Sequence, residues 1–587
     1  MKIISPRGTR LTYLLFILFL PLILCAQNQK GNHVRKMLKE KWHTIAHPFQ
    51  GLPSPFQIQK RSESEYRFSD IDDRSRSEGE PYIAVNPTDS NHIVVSFMDL
   101  GFELDFPVYF STDGGENWNK SEISVIDTFK SDFPELILAG GGDPILAFDA
   151  IGKLYFSWIY LGIEFTTGTV VTYWAWSENQ GMDFQIAKGN DRYIEFGKIN
   201  LFTAEIQNEG NGIFDRPWFA VDQSGGPHDG TLYCAGLFLP SDSTELEGEG
   251  LVLRMKRPGV DSFELAQTQV SLGVDAQFSN IAVDPSGRIH VSYVDLDTDQ
   301  LMHALVKAGG TDVLSLDTVS ALVGFSPIKV HSRENPAPSL TIDPQNYDTY
   351  LAWSDFSNEL VQGYLSKSID FGRTWSDPFL LNEALDFDVS QVLMPVIAIN
   401  EKGHIALTYF GLDEADKGHY FISHTEDGGD SWKPPLIVSG DTTDFSTYSD
   451  SSFFGDYFKT EYVGNHAYIV WSDGRNKSGA KTYFSKIDPA NPSVSVHPIN
   501  SIQDHTYVSP VFPSPGRGQQ FISIEAKFFQ QLHMQVFSLD GRLLHQWTDH
   551  VHAGESIKEI PYSGPPGSYI LVLRSDFFTT MRPFIRQ

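Results

Sequence analysis

Carboxylates and arginines recur in this chain at two kinds of place. Glu80, Asp143, Asp215 with Arg216, Arg333 with Glu334, and Asp456 with Tyr457 stand at the start of short apolar runs. Asp99, Asp295, Asp355, and Asp473 with Arg475 stand just after a second set of runs. Two acids, or an acid and an activated tyrosine, are what cleavage of a glycosidic bond asks for around the anomeric carbon. Several arginines are what an acidic sugar asks for, because each planar fork meets carboxylate oxygens in pairs. On these grounds Asp143, Asp215 and Asp355 are the candidate acids. Tyr457, with Asp456 or Glu461, is the candidate nucleophile. Arg216, Arg333 and Arg475 form the candidate substrate-binding triad. A structural reading stands beside this one, since arginine and aspartate at strand ends commonly pair with each other. Arg216 adjoins Asp215 and Arg475 lies near Asp473, which suits such pairing.

The elements that must position these residues are repeats. Seven copies of an apolar strand, an Asp/Asn turn and a second apolar strand begin at Pro81, Pro144, Pro217, Ser279, Pro338, Pro395 and, more weakly, Asp456. The period is about 60 residues, in the range of propeller blades. Continuous apolar character in the first two strands of each copy fits burial between neighbouring blades. Each copy carries four strand signals, so the expectation is an all-β chain with a propeller of four-stranded blades. Seven blades are favoured, and six would result if one repeat were absorbed elsewhere.

A second motif rides on the repeat. Ser/Thr-x-Asp-x-Gly-x-x-Trp occurs as Ser111, Asp113, Gly115 and Trp118; as Ser368, Asp370, Gly372 and Trp375; and as Thr425, Asp427, Gly429 and Trp432. A degraded copy runs from Ser177 to Phe184. In the first, fifth and sixth repeats the box starts at a fixed phase from the repeat's proline (Pro81 to Ser111, Pro338 to Ser368, Pro395 to Thr425). Asp and Gly in a tight turn supply side-chain-to-backbone hydrogen bonds and a positive φ. This is the Asp-box, and the chain resembles the sialidase-like, Asp-box β-propellers. The resemblance implies a ligand site at the propeller mouth, on the face opposite the boxes, and action on extracellular glycans or glycoproteins, including exo-α-sialidase chemistry. It departs from the sialidase pattern at one important place: the first repeat carries Glu80 before Pro81, where true sialidases carry an Arg-Ile-Pro motif. A non-catalytic glycan- or protein-binding propeller is therefore the alternative.

The formal charge of −30 argues against nucleic acid and anionic membrane surfaces as partners. Residues 1–26 read as a secretory signal, with Lys2, Arg7 and Arg10 before the apolar run Leu11–Leu24. Its removal would leave Cys234 alone, with no intramolecular disulfide and no transmembrane span. Residues 27–79 are polar and read as a mobile leader or a strap closing the ring, 80–500 as the propeller, and 501–587 as a small β-sandwich. That last segment resembles the sorting domain of the type IX secretion system of Bacteroidetes-type bacteria. The matching elements are Pro513-Ser514-Pro515, Leu539-Asp540-Gly541-Arg542, Gly567-Ser568-Tyr569 and a basic tail. The resemblance implies the type IX machinery as a partner and an outer-membrane or secreted location. No cofactor or metal is expected. Asp295, Asp297 and Asp299 alternate like the start of a calcium loop, but Gln300 and Val306 stand where its glycine and final acid should be, so a solvated hairpin tip is favoured.

Overall fold

The structure is a computed structural model. It describes residues 65–67, 77–100, 104–241, 249–264, 267–271, 276–320, 337–355, 360–384, 389–445, 455–475, 479–491, 507–509, 511–526, 530–538, 542–551, 554–574 and 579–587. The segment read as a secretory signal, Arg333 and the segment Leu539–Gly541 lie outside the described residues. The chain divides into two units, one running over Glu65–Pro492 and the other over Ser493–Gln587.

The first unit is a seven-bladed β-propeller, with seven antiparallel sheets that follow one another along the chain. Their innermost strands are Glu78–Asn86, Ile137–Phe148, Gly212–Val221, Ala276–Val283, Ser339–Ile342, Gln391–Ile399 and Lys459–Val463. Each packs against the next, and the seventh packs against the first, so the sheets close into a ring. The second strands of blades 2 and 3 and the inner strand of blade 1 are buried nearly throughout, which is why they read as continuous apolar runs, whereas the inner strands of blades 5 and 7 alternate between buried and half-buried residues.

Two devices close the ring. Glu65–Arg67, from the segment read as a leader or strap, pairs antiparallel with Tyr483–Ser485 and supplies the outermost strand of blade 7. Beside it, Glu78 of blade 1 is fully buried. Its Oε2 accepts from the Thr482 backbone N–H at 2.7 Å, and its own backbone N–H donates to the Ala480 carbonyl at 2.8 Å. Apolar packing seals the seam: Ile83, Ile93 and Val95 of blade 1 cluster with Tyr468, Val470 and Phe484 of blade 7. Each such fully buried aliphatic or aromatic side chain contributes roughly 1.5–3 kcal/mol.

The boxes fold alike. Gly115 N–H donates to Ser111 Oγ at 2.9 Å, Asn117 N–H donates to Asp113 Oδ1 at 2.9 Å, and the Trp118 indole donates to the Gly115 carbonyl at 3.1 Å. Blade 5 repeats this geometry at Ser368, Asp370, Gly372 and Trp375, and blade 6 repeats its Thr425 and Asp427 contacts. The degraded copy in blade 2 makes the same turn with Asn179 in the aspartate's place. Each turn joins the third strand of its blade to the chain that follows, and it reaches the preceding blade. Trp118 meets Phe484 edge-on at 5.1 Å, and Trp375 meets His303 at 5.3 Å. The boxes are thus staples between neighbouring blades.

The second unit is a β-sandwich. A three-stranded sheet (Tyr507–Val508, Gln520–Ala526, Gly554–Ile560) and a four-stranded sheet (Leu543–Val551, Gln530–Ser538, Gly567–Arg574, Thr579–Arg586) enclose a core containing Ile522, Ile524, Met534, Val536, Leu571 and Leu573. Among the described residues, no helix is long and apolar enough to cross a membrane.

Candidate functional site

The residue just before six of the seven repeats is structurally special. Glu80, Asp143, Arg216, Phe278 and Met394 all have positive φ, between 50° and 58°, and Gly455 has φ 116° at the same place in blade 7. In the first four blades and the sixth, the pairing of the inner with the second strand slips across this residue, for example between Gly142 and Ile145 and between Asp215 and Trp218. A β-bulge therefore recurs at equivalent positions around the ring. Non-glycine residues held in this region cost of order 1 kcal/mol or more each, and such strain concentrates where side chains must be aimed. Gly455 has a further reason to be glycine: a Cβ there would lie 2.4 Å from the Glu80 backbone nitrogen.

The bulges aim these residues at the mouth. A cavity is lined by Asp143, Arg216, Phe278, Ala337 and Met394 from this ring of positions, together with Asp456 and Tyr457. Its wall continues along the inner strands through Trp218, Asn280, Ser339 and Lys459. Counted out to open solvent, its empty space is about 680 Å³.

Cross-ring contacts organise one side of it. Arg216 Nη2 of blade 3 donates to Asp456 Oδ2 of blade 7 at 2.7 Å, with both side chains almost fully enclosed. The same guanidinium lies 4.3 Å from the centre of the Phe278 ring. The Asp143 backbone N–H donates to Glu80 Oε2 at 2.9 Å, and the Tyr457 hydroxyl donates to the Pro144 carbonyl at 3.3 Å. Tyr82, Trp218 and Tyr457 pack edge-to-face, with centroids 4.8–6.1 Å apart. Burial, and then the nearby Glu80 and Asp143 carboxyls, push the Tyr457 hydroxyl well above its ordinary range. That is the reverse of the shift that would activate a nucleophile.

The structure thus brings Asp143, Arg216 and Tyr457 to one cavity. Asp215 is buried beside them on the blade 3 strand. Asp355 is buried at the end of the second strand of blade 5. Arg475 is enclosed within blade 7, where its Nε donates to Asp473 Oδ1 at 2.8 Å and its guanidinium stacks 4.0 Å from the Tyr483 ring centre. Asp295 caps its own hairpin, its Oδ1 accepting from the Asp297 backbone N–H at 2.9 Å. Phe278, Met394 and Ala337 were not singled out by their residue types. Their signal lay in the repeat, since each occupies the place held by Glu80, Asp143 and Arg216 in other copies.

The chain matches no protein-family model and none of the curated proteins. Solved structures do resemble it. A Hadza microbial sialidase shares 13% identity, with 72% of this chain and 67% of that one covered and a TM-score of 0.37. An α-L-arabinanase from Penicillium chrysogenum shares 13% identity over 61% of this chain and 96% of its own, with a TM-score of 0.37. A mutant NanB sialidase from Streptococcus pneumoniae shares 12% identity over 76% and 72%, with a TM-score of 0.36.

Proposed function

We propose that this is a secreted or cell-surface propeller that binds extracellular glycans in the mouth cavity, and that its preferred ligands are neutral sugar units. The observation that carries this reading is the enclosed Arg216–Asp456 pair. A guanidinium that grips an acidic sugar must offer its fork to the ligand carboxylate. Here that charge is offset by Asp456 inside the wall. Beside the Asp143 carboxyl and the Lys459 ammonium, which has the Glu461 carboxylate 3.4 Å away, the wall presents aromatic and neutral polar surface: Trp218, Phe278 and Tyr457 with Asn280 and Ser339. Such a surface suits the C–H faces and hydroxyls of a sugar. The N-terminal signal and the sorting-type C-terminal segment would deliver the site to the cell exterior.

Glycoside hydrolysis is the second reading, and the position of Asp143 in the cavity wall favours it. It would use Asp143 as the acid, with a partner other than a readily ionised Tyr457. A panel of immobilised neutral and sialylated oligosaccharides, combined with fluorogenic glycosides, separates the readings. We expect saturable binding of neutral oligosaccharides that Trp218→Ala weakens at least tenfold, with no turnover of a sialoside. Turnover of a sialoside that is lost in Asp143→Asn would overturn the binding reading in favour of the enzyme, and no binding to any glycan would overturn both.

A further inference from the structure

On the box-bearing end of blade 6 two turns lie side by side. The turn between its first two strands is pinned by Asn400, whose Oδ1 accepts from the backbone N–H groups of Lys402 at 3.0 Å and His404 at 2.9 Å. That turn places His404 at the start of the second strand. The third strand, Lys417–Thr425, carries His424 at its end, and the box that follows carries Glu426. The two imidazole rings stand 6.0 Å apart, and ligand-capable atoms of His404, His424 and Glu426 all lie within 4.8 Å of one another. Ligands bound tetrahedrally to one zinc ion at about 2.0–2.2 Å lie about 3.3–3.6 Å apart, so the set must draw in by up to about 1.5 Å to close on an ion, and Glu426 is its exposed member.

A second observation concerns His424 itself. His424 is 2% exposed, and its Nδ1 has no hydrogen-bond partner. Its Nε2 lies 3.1 Å from the Tyr462 hydroxyl of blade 7. Leaving a buried ring nitrogen unsatisfied is unfavourable. If Nδ1 offers its lone pair to a metal, Nε2 carries the proton and donates it to the Tyr462 oxygen. Metal-bound histidines are typically oriented in this way, one nitrogen on the ion and the other donating to an oxygen. The neighbouring box carboxylate is already committed, because Asp427 accepts from Thr425 and Ser431. Glu426 therefore supplies the oxygen ligand.

We propose that His404, His424 and Glu426 form a binding site for one borderline divalent metal ion of the Zn²⁺ class, which clips the Asp-box of blade 6 to the blade's first turn. Two imidazoles and a carboxylate favour zinc over calcium or magnesium, which demand oxygen ligands. Three protein ligands leave the fourth tetrahedral position open to water. The site lies on the turns opposite the mouth, so it is independent of the glycan reading.

The test uses the full chain, without an affinity tag and stripped with EDTA. Calorimetric titration with Zn²⁺ should show one equivalent bound, no matching signal with Ca²⁺ or Mg²⁺, and a rise in melting temperature. His404→Gln and Glu426→Gln should each weaken zinc binding by about tenfold or more. Both substitutions lie at positions that are not fully buried, and metal-free melting temperatures equal to that of the wild type would show that they fold. Zinc binding of wild-type strength in both variants, or no stoichiometric zinc in the wild type, overturns the proposal. An anomalous zinc peak between His404 and His424 in a crystal would place the ion directly.

Discussion

Breaking the Arg216–Asp456 pair should destabilise the ring more than the loss of an exposed ion pair would. The pair joins blades 3 and 7 at 2.7 Å, with side-chain exposures of 8% and 1%. Arg216→Met removes the guanidinium and leaves the Asp456 carboxylate enclosed without its cation. Asp456→Leu does the converse. Each single change should cost about 3–5 kcal/mol, the range for stranding one member of a buried pair, whereas replacing both by apolar groups of similar volume is often neutral or stabilising. The double variant should therefore recover to within about 1 kcal/mol of the wild type. For a unit running over Glu65–Pro492, an unfolding entropy near 0.9 kcal/mol/K makes each kcal/mol worth about 1 °C. Differential scanning calorimetry at one fixed scan rate should show the first transition about 3–5 °C lower in each single variant and nearly restored in the double. Chains of this size commonly unfold irreversibly, so only scans at equal rate are compared. The reasoning fails if the singles melt within 1 °C of the wild type, or if the double loses as much as the two singles together.

Two further outcomes follow from the packing. Gly372→Ala should destabilise strongly, because the residue has φ 81° and a Cβ would sit 2.0 Å from the His303 ring. Gly225→Ala, with φ 68° and nothing within 4 Å, should cost only the backbone strain of about 1 kcal/mol; equal melting losses at the two sites would refute the staple role given to the blade 5 box. Stability should also fall on mild acidification. Burial lowers the pKa of His92, His290, His303 and His424, so below the ordinary histidine range the unfolded chain binds protons that the folded chain refuses. Folding then loses up to about 1.4 kcal/mol per pH unit for each histidine kept neutral, and a melting temperature that stays flat from about pH 7.5 to about pH 5, measured with EDTA present, would contradict this.

The fold and the mouth were legible to different depths, and strand geometry says why. Blade number and box phase are properties of a repeat, and seven copies of one pattern average out the ambiguity of any single strand. The closing strand Glu65–Arg67 has no such support: it is short, polar and unrepeated, and only its pairing with Tyr483–Ser485 defines it. Side-chain pairing follows a finer rule. Residues two apart on an extended chain share a face, whereas adjacent ones point to opposite faces. Asp473 ends its strand and Arg475 lies in the turn that follows; the Arg475 backbone N–H donates to Asp473 Oδ1 at 3.2 Å, and this local turn lets the two side chains pair. Asp215 and Arg216 are adjacent, and the guanidinium instead crosses the ring to Asp456, 240 positions along the chain. The bulge between Asp215 and Trp218, with Arg216 at φ 55°, turns that side chain toward the mouth. The same device acts at Glu80, Asp143, Phe278 and Met394, whose residue types run from acidic to aromatic to aliphatic. What these positions share is a backbone conformation, and its only trace in the chain is the place each holds ahead of its repeat. A search of propeller sequences for mouth residues should therefore start from that place in every copy, whatever residue occupies it, before it turns to acids and arginines.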